Sequence, residues 1–115
     1  MDELLVFDLL DEPDFAAVVP GGRVEPGETV AETAVRELAE ETGLEIRVVR
    51  ELGVLEQQSW RVPGIRDENH FVHAVTAGET KDEWVHAGAF RCRWIPVLAG
   101  MSVYGEHGAF LDLLL

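Results

Sequence analysis

Three glutamates near the middle of the chain, Glu37, Glu40 and Glu41, have the type and spacing for metal chemistry. On a helical wheel of about 100° per residue, Glu41 lies about 40° to one side of Glu37 and Glu40 about 60° to the other. The three carboxylates therefore share one narrow arc. Like charges at i,i+3 and i,i+4 cost about a few tenths of a kcal/mol per pair when exposed, and more when partly buried. Arg36 can relieve Glu40, and Glu32 with Arg36 is a favourable i,i+4 pair, but nothing basic lies at helical spacing from both Glu37 and Glu41. A hard divalent cation suits such a cluster, because Mg²⁺ prefers oxygen ligands and keeps several waters beside a few carboxylates. An acidic helix face on its own is ordinarily a solvated face, so the loop in front of it matters. The chain turns through Gly21-Gly22, where a backbone carbonyl can approach the helix with no side chain in the way. Glu28 immediately before the helix and Arg36 two turns into it can brace loop against helix.

The element that carries the glutamates is the clearest helix in the sequence, Thr29 to about Thr42. Thr29 with Glu32 three residues on forms a capping box, and Gly43 supplies the left-handed stop. Ala31, Ala34, Val35, Leu38 and Ala39 fill much of the rest of the wheel and are expected to face the core. Leu4–Leu10 and Phe15–Val19 read as short strands split by the turn-forming run Asp11-Glu12-Pro13-Asp14. Ile46–Leu55, His70–Thr76 and Phe90–Ile95 read as further strands, the last alternating Phe90, Cys92 and Trp94 with Arg91 and Arg93. Glu106–Leu115 has apolar residues at helical spacing and is expected to pack as a terminal helix. Strands, helix, strands and a closing helix predict an α/β or α+β domain with a mixed sheet.

The chain has 115 residues, enough for one domain over residues 1–115 and too few for two. Nine basic residues against 22 acidic ones leave a net charge of −13. A long nucleic acid is a poor partner for that charge, since binding one needs a basic face; a small phosphorylated ligand is compatible if metal ions lie between the anions. Cys92 is the one cysteine, which rules out an intrachain disulfide or a thiolate metal cluster. No apolar run approaches ~18 residues and Met1-Asp2-Glu3 is not the basic start of a signal peptide, so a cytoplasmic protein with no membrane segment is expected.

Residues Gly22 to Leu44 read GRVEPGETVAETAVRELAEETGL. This resembles the complete Nudix box, with Gly22, Glu28, Arg36, Glu37, Glu40, Glu41 and Gly43 at its fixed positions and Leu38 and Leu44 at aliphatic ones. The resemblance implies an α/β/α sandwich that hydrolyses a nucleoside diphosphate linked to another moiety, with Mg²⁺ or Mn²⁺ as cofactor. It implies that Glu37, Glu40, Glu41 and the Gly21 carbonyl hold metal, that Glu37 and Glu41 are catalytic, and that Glu28 and Arg36 form the brace. Some family members draw the general base from the box and others from a distant loop, for which Glu68, Glu79, Asp82, Glu83 and Glu106 are candidates; each is otherwise a surface charge. Arg61 and Arg66 are candidates for phosphate contact. Trp60, Phe71, Trp84 and Tyr104 are candidates for stacking on a base, whereas Trp94 belongs to the core. His70, His73 and His86 have no transition-metal spacing and read as structural or surface residues.

Only 21 residues precede the box, about one strand fewer than the family pattern. A missing edge strand would leave an edge open to a second copy, so a homodimer is expected. The connection between Val85 and Phe90 is short. Two rivals remain: a Nudix-fold sensor or scaffold without catalysis, for which a damaged box would be expected, and a prenyl diphosphate isomerase, which wants a cysteine beside the pocket. Cys92 alternates with Phe90 and Trp94 and reads as core.

Overall fold

The computed structural model describes residues 3–12, 18–59 and 62–96. Their elements run β1 (Glu3–Leu9), α1 (Val30–Thr42), β2 (Ile46–Gln58), β3 (Arg66–Thr76), β4 (Glu83–His86) and β5 (Phe90–Pro96). The fold is α+β. The strands form a three-stranded sheet in the order β1-β5-β4 and a β2-β3 hairpin. Every ladder among these residues is antiparallel, so the parallel pair that a mixed sheet requires does not occur among them. Of the expected second strand, Val18 makes a bridge to Phe7; residues 13–17 and the expected terminal helix lie outside the described residues. No helix among the described residues is long and apolar enough to cross a membrane.

Helix α1 begins and ends where its capping residues dictate. Thr29 accepts from the Glu32 amide at 3.1 Å while Glu32 accepts from the Thr29 amide at 3.0 Å. Gly43 closes the helix at φ +75° and donates its N–H to the Ala39 carbonyl. The helix packs on β2 and also touches β3, β4 and β5. Its buried residues, however, are Thr33 and Thr42, with Leu38 packed against the core. Ala31, Val35 and Ala39 are exposed, contrary to the expectation from the wheel. Both helix flanks are used: one leans on β5 and the N-terminal loop, and the apolar flank beyond β2 opens into a groove lined by Ala31, Val35, Ile46 and Val48.

The core lies between α1 and the three-stranded sheet. Leu5, Phe7 and Cys92 are buried, with Leu38, Leu44, Trp84, Phe90 and Trp94 packed around them. Phe7 and Phe90 meet edge to face with centroids 4.9 Å apart. The alternation in β5 thus places Phe90, Cys92 and Trp94 inward, while Arg93 pairs with Asp8 at 3.0 Å and Arg91 with Glu83 at 2.6 Å. Strand β4 is four residues long, too short for alternation to mark it. It reaches β5 through a turn at Ala87-Gly88, both at positive φ, the hand that suits a tight hairpin. In β2, one residue is inserted between Val48 and Arg50 and another between Glu51 and Gly53 relative to β3.

Candidate active site

The N-terminal half of α1 is tied to the preceding loop through Glu28. Its carboxylate accepts from Arg36 Nε at 2.7 Å and Arg36 Nη2 at 2.9 Å, from the Thr33 hydroxyl at 3.0 Å, and from the Glu25 amide at 2.9 Å. Arg36 also donates to the Arg23 carbonyl at 2.9 Å, so its planar fork joins helix to loop at both ends. These bonds, with Arg36 contributing most and the Glu25 amide next, hold the Glu28 carboxyl down at about 2. Thr33 was missed by the sequence reading. Its signal was a small hydroxyl residue in a helix whose other positions, Thr42 apart, are apolar or charged.

The three glutamates follow on the same face. Glu37 is mostly buried and lies over Gly22, where its carboxylate occupies the space a Cβ would need. It also accepts from Arg36 Nη1 at 2.8 Å. Glu41 accepts from the Gly21 amide at 2.9 Å. Burial pushes its carboxyl up to about 7; the Gly21 hydrogen bond opposes that rise, and the charges of Glu37 and Glu40 add to it. Glu40 is the most exposed of the three and reaches Arg36 at 3.4 Å. Arg36 therefore offsets charge on two of them, more than helical spacing alone suggested.

Among the described residues, no three carboxylate, imidazole or thiol groups converge as a ready-made metal cage. The donors nonetheless fit a hard cation that keeps its waters. Two carboxylates from successive turns abut the dipeptide Gly21-Gly22, and every donor there is oxygen or backbone. A glycine pair lets them come that close.

The other candidates lie elsewhere. Arg66 is held by Glu56 at 2.8 Å and by the Glu56 carbonyl at 3.0 Å, on the β2-β3 hairpin. Trp84 packs against the core and donates its indole N–H to the Thr42 carbonyl at 2.8 Å. Its indole edge is thus turned to the end of α1, where the helix has carbonyls in need of donors. Glu68 pairs with His70 at 2.8 Å and Glu83 with Arg91, while Glu79 and Asp82 are exposed and Phe71 is half-buried. Trp60, Arg61, Tyr104 and Glu106 lie outside the described residues. Cys92 is fully buried, and burial raises its thiol to about 11, which leaves no reactive thiolate for isomerase chemistry.

A capped helix that lays carboxylates against a glycine loop and is braced by an arginine–glutamate pair defines a Nudix-type domain. The family model described as NUDIX domain matches residues 4–109, and the chain belongs to the Nudix family. Named relatives are phosphohydrolases. A protein of Bacillus subtilis (strain 168) named putative 8-oxo-dGTP diphosphatase is 34% identical over 68% of this chain and 55% of its own length. Human diphosphoinositol polyphosphate phosphohydrolase 2 is 35% identical over 92% of this chain and 56% of its own length. Human diphosphoinositol polyphosphate phosphohydrolase 3-beta is 36% identical, covering 92% and 62%. The chain thus spans just over half the length of the curated relatives it matches.

Proposed function

We propose that this chain, as one Nudix domain over residues 1–115, hydrolyses a diphosphate bond in a nucleoside diphosphate linked to another moiety. The observation that carries this reading is the meeting of Glu37 and Glu41 with the Gly21-Gly22 backbone. Glu37, Glu40, Glu41 and the Gly21 carbonyl would hold Mg²⁺ or Mn²⁺. A bound divalent ion supplies charge neutralisation for the diphosphate and a more acidic attacking water. Glu28 and Arg36 set the loop against the helix so that the carboxylates and backbone donors keep one geometry. Glu37 or Glu41 accepts the proton from water.

Substrate class follows from charge. With nine basic residues in a chain of net charge −13, a substrate carrying two or three phosphates fits better than a densely phosphorylated ring. A cytoplasmic site of action belongs to the same proposal. So does a homodimer; a monomer by light scattering at micromolar concentration would overturn it.

The test is release of phosphate and nucleotide from a panel of nucleoside triphosphates, nucleotide sugars, dinucleoside polyphosphates and inositol pyrophosphates, with Mg²⁺, Mn²⁺ or EDTA. Metal-dependent turnover of a nucleotide substrate, lost in Glu41→Gln, is expected. Turnover of inositol pyrophosphates alone would replace the substrate class, and no turnover by folded protein would favour a sensor.

A further inference from the structure

The last turn of α1 is the part of the helix least able to hold itself. It carries Glu40 and Glu41 with Glu37 one turn before, its final turn contains no basic residue, and its carbonyls form the negative end of the helix dipole. Carboxylates there repel one another and the dipole alike, and the last carbonyls have no partner within the helix. Gly43 caps the Ala39 carbonyl, and the further donors arrive from the sheet. Trp84 of β4 donates Nε1–H to the Thr42 carbonyl at 2.8 Å. Cys92 of β5 places its Sγ 3.8 Å from the Glu41 carbonyl, a weak donor at long range. The His86 ring packs so closely on Gly43 that a Cβ there would lie 2.9 Å from it. Thr42 itself is 2% exposed and turns its hydroxyl back to the Leu38 carbonyl at 2.6 Å.

We propose that Trp84 is a positioning residue of the active site: its indole N–H, seated on the Thr42 carbonyl, fixes the final turn of α1 and so the direction in which Glu41 meets the Gly21 loop. The inference rests on Glu41 being a metal ligand, as proposed above. Thr42 follows Glu41 directly, so a frayed turn at Thr42 swings the Glu41 Cα–Cβ bond and lengthens the 2.9 Å contact with the Gly21 amide. The β4-β5 hairpin thus acts on the acidic helix through the Thr42 carbonyl.

Trp84→Phe deletes the donor and keeps a ring in the core. Mn²⁺ binding, read by EPR titration of the free ion, is expected to weaken about tenfold, the scale on which groups that orient a metal ligand act. Phe90→Leu, which loosens the same core without touching the helix carbonyl, is expected to bind Mn²⁺ as the wild type does. Equal Mn²⁺ affinity in Trp84→Phe and wild type, or an equal loss in Phe90→Leu, overturns the proposal. Two readouts bypass the metal. The Gly21 amide proton is expected to move upfield in Trp84→Phe as its hydrogen bond lengthens, and an unmoved resonance overturns the proposal. In the wild type the Trp84 indole proton should exchange with deuterium as slowly as the α1 amides; fast exchange overturns it even if no variant folds. Absence of Mn²⁺ binding by the wild type together with a shifted Gly21 resonance would sink the metal reading and leave the positioning contact standing.

Discussion

The Glu37 carboxylate occupies the volume that a side chain at Gly22 would need. Loop and helix are therefore fitted to each other at one residue pair, separated by fifteen positions of chain. What would meet a methyl at Gly22 is the far end of a flexible side chain, not backbone. Gly22→Ala should accordingly leave stability within about 1 kcal/mol while turning Glu37 aside. Turnover is expected to fall on the order of tenfold to a hundredfold. Thermal melting beside steady-state rates checks this, and a rate equal to wild type would show that Glu37 need not lie there.

Glu41 predicts an unusual pH dependence. Its carboxyl, raised mainly by burial to about 7, binds a proton more tightly in the folded protein than in the unfolded chain. The ion-free protein should then lose stability as pH rises from the ordinary carboxylate range through about 7. Glu41→Gln should raise the melting temperature at pH 8 by a few degrees, roughly 4 °C per kcal/mol, with little change at pH 4.5. Turnover in that variant should drop on the order of 10²-fold or more. Mg²⁺ should stabilise the wild type more at pH 8 than at pH 5.5, since it binds the ionised form. A melting temperature that climbs steadily from pH 5 to 8 without metal would contradict the assignment.

Glu28 has the opposite sign. Held at about 2 chiefly by the Arg36 side chain, it contributes stability that is present above the ordinary carboxylate range and lost as pH falls through about 2. Arg36→Ala should lower the melting temperature near neutrality, and the gap to wild type should narrow between pH 4.5 and 2. Because the loop then shifts against the helix, activity should fall on the order of 10²-fold. Melting curves across that pH range decide the matter; a gap that stays constant would mean that Glu28 is not the group involved.

The helix was the most legible part of the molecule, and for local reasons. Thr29, Glu32 and Gly43 act through backbone groups within a few residues, so their effect can be read without knowing the rest of the fold. Nudix membership likewise followed from Glu28, Arg36 and the glutamates as a spaced set. What sequence could not supply was the far side of each contact. A helical wheel sorts Val35 and Ala39 from Glu37, but it cannot say that no layer of the described structure covers them; Val35 is 40% exposed. The hydrogen bond of Trp84 was not legible because nothing in its neighbourhood announced the Thr42 carbonyl, forty-two residues away. Strand β4 escaped notice because four residues do not establish a period.

Gly43 offers a test of the helix end by itself. Its φ of +75° is strained for any residue with a Cβ, and His86 already fills the space beside it. Gly43→Ala is expected to cost about 1–2 kcal/mol from backbone conformation alone, and more with the crowding. Gly64→Ala, at φ +83° but with open space around it, provides the comparison. Equal losses in denaturant unfolding of the two variants would show that His86 yields freely.

The two inserted residues in β2 bear on how this scaffold tolerates change. Ile46 and Val48 are the better covered residues at one end of the ribbon, whereas Gly53, Leu55 and Gln57 are so at the other. Their partners in β3 follow suit, with Ala74 and Thr76 half-covered at one end and Asn69 and Phe71 at the other. The hairpin therefore shelters opposite faces at its two ends. A flat ribbon could do so only by wetting one of them, and bulges supply the extra twist. Shortening β2 by either inserted residue should straighten the ribbon and spoil one end, whereas lengthening the exposed turn near Gly64 should pass unnoticed. Variation in chain length is thus permitted at the tip of the hairpin and forbidden in its middle.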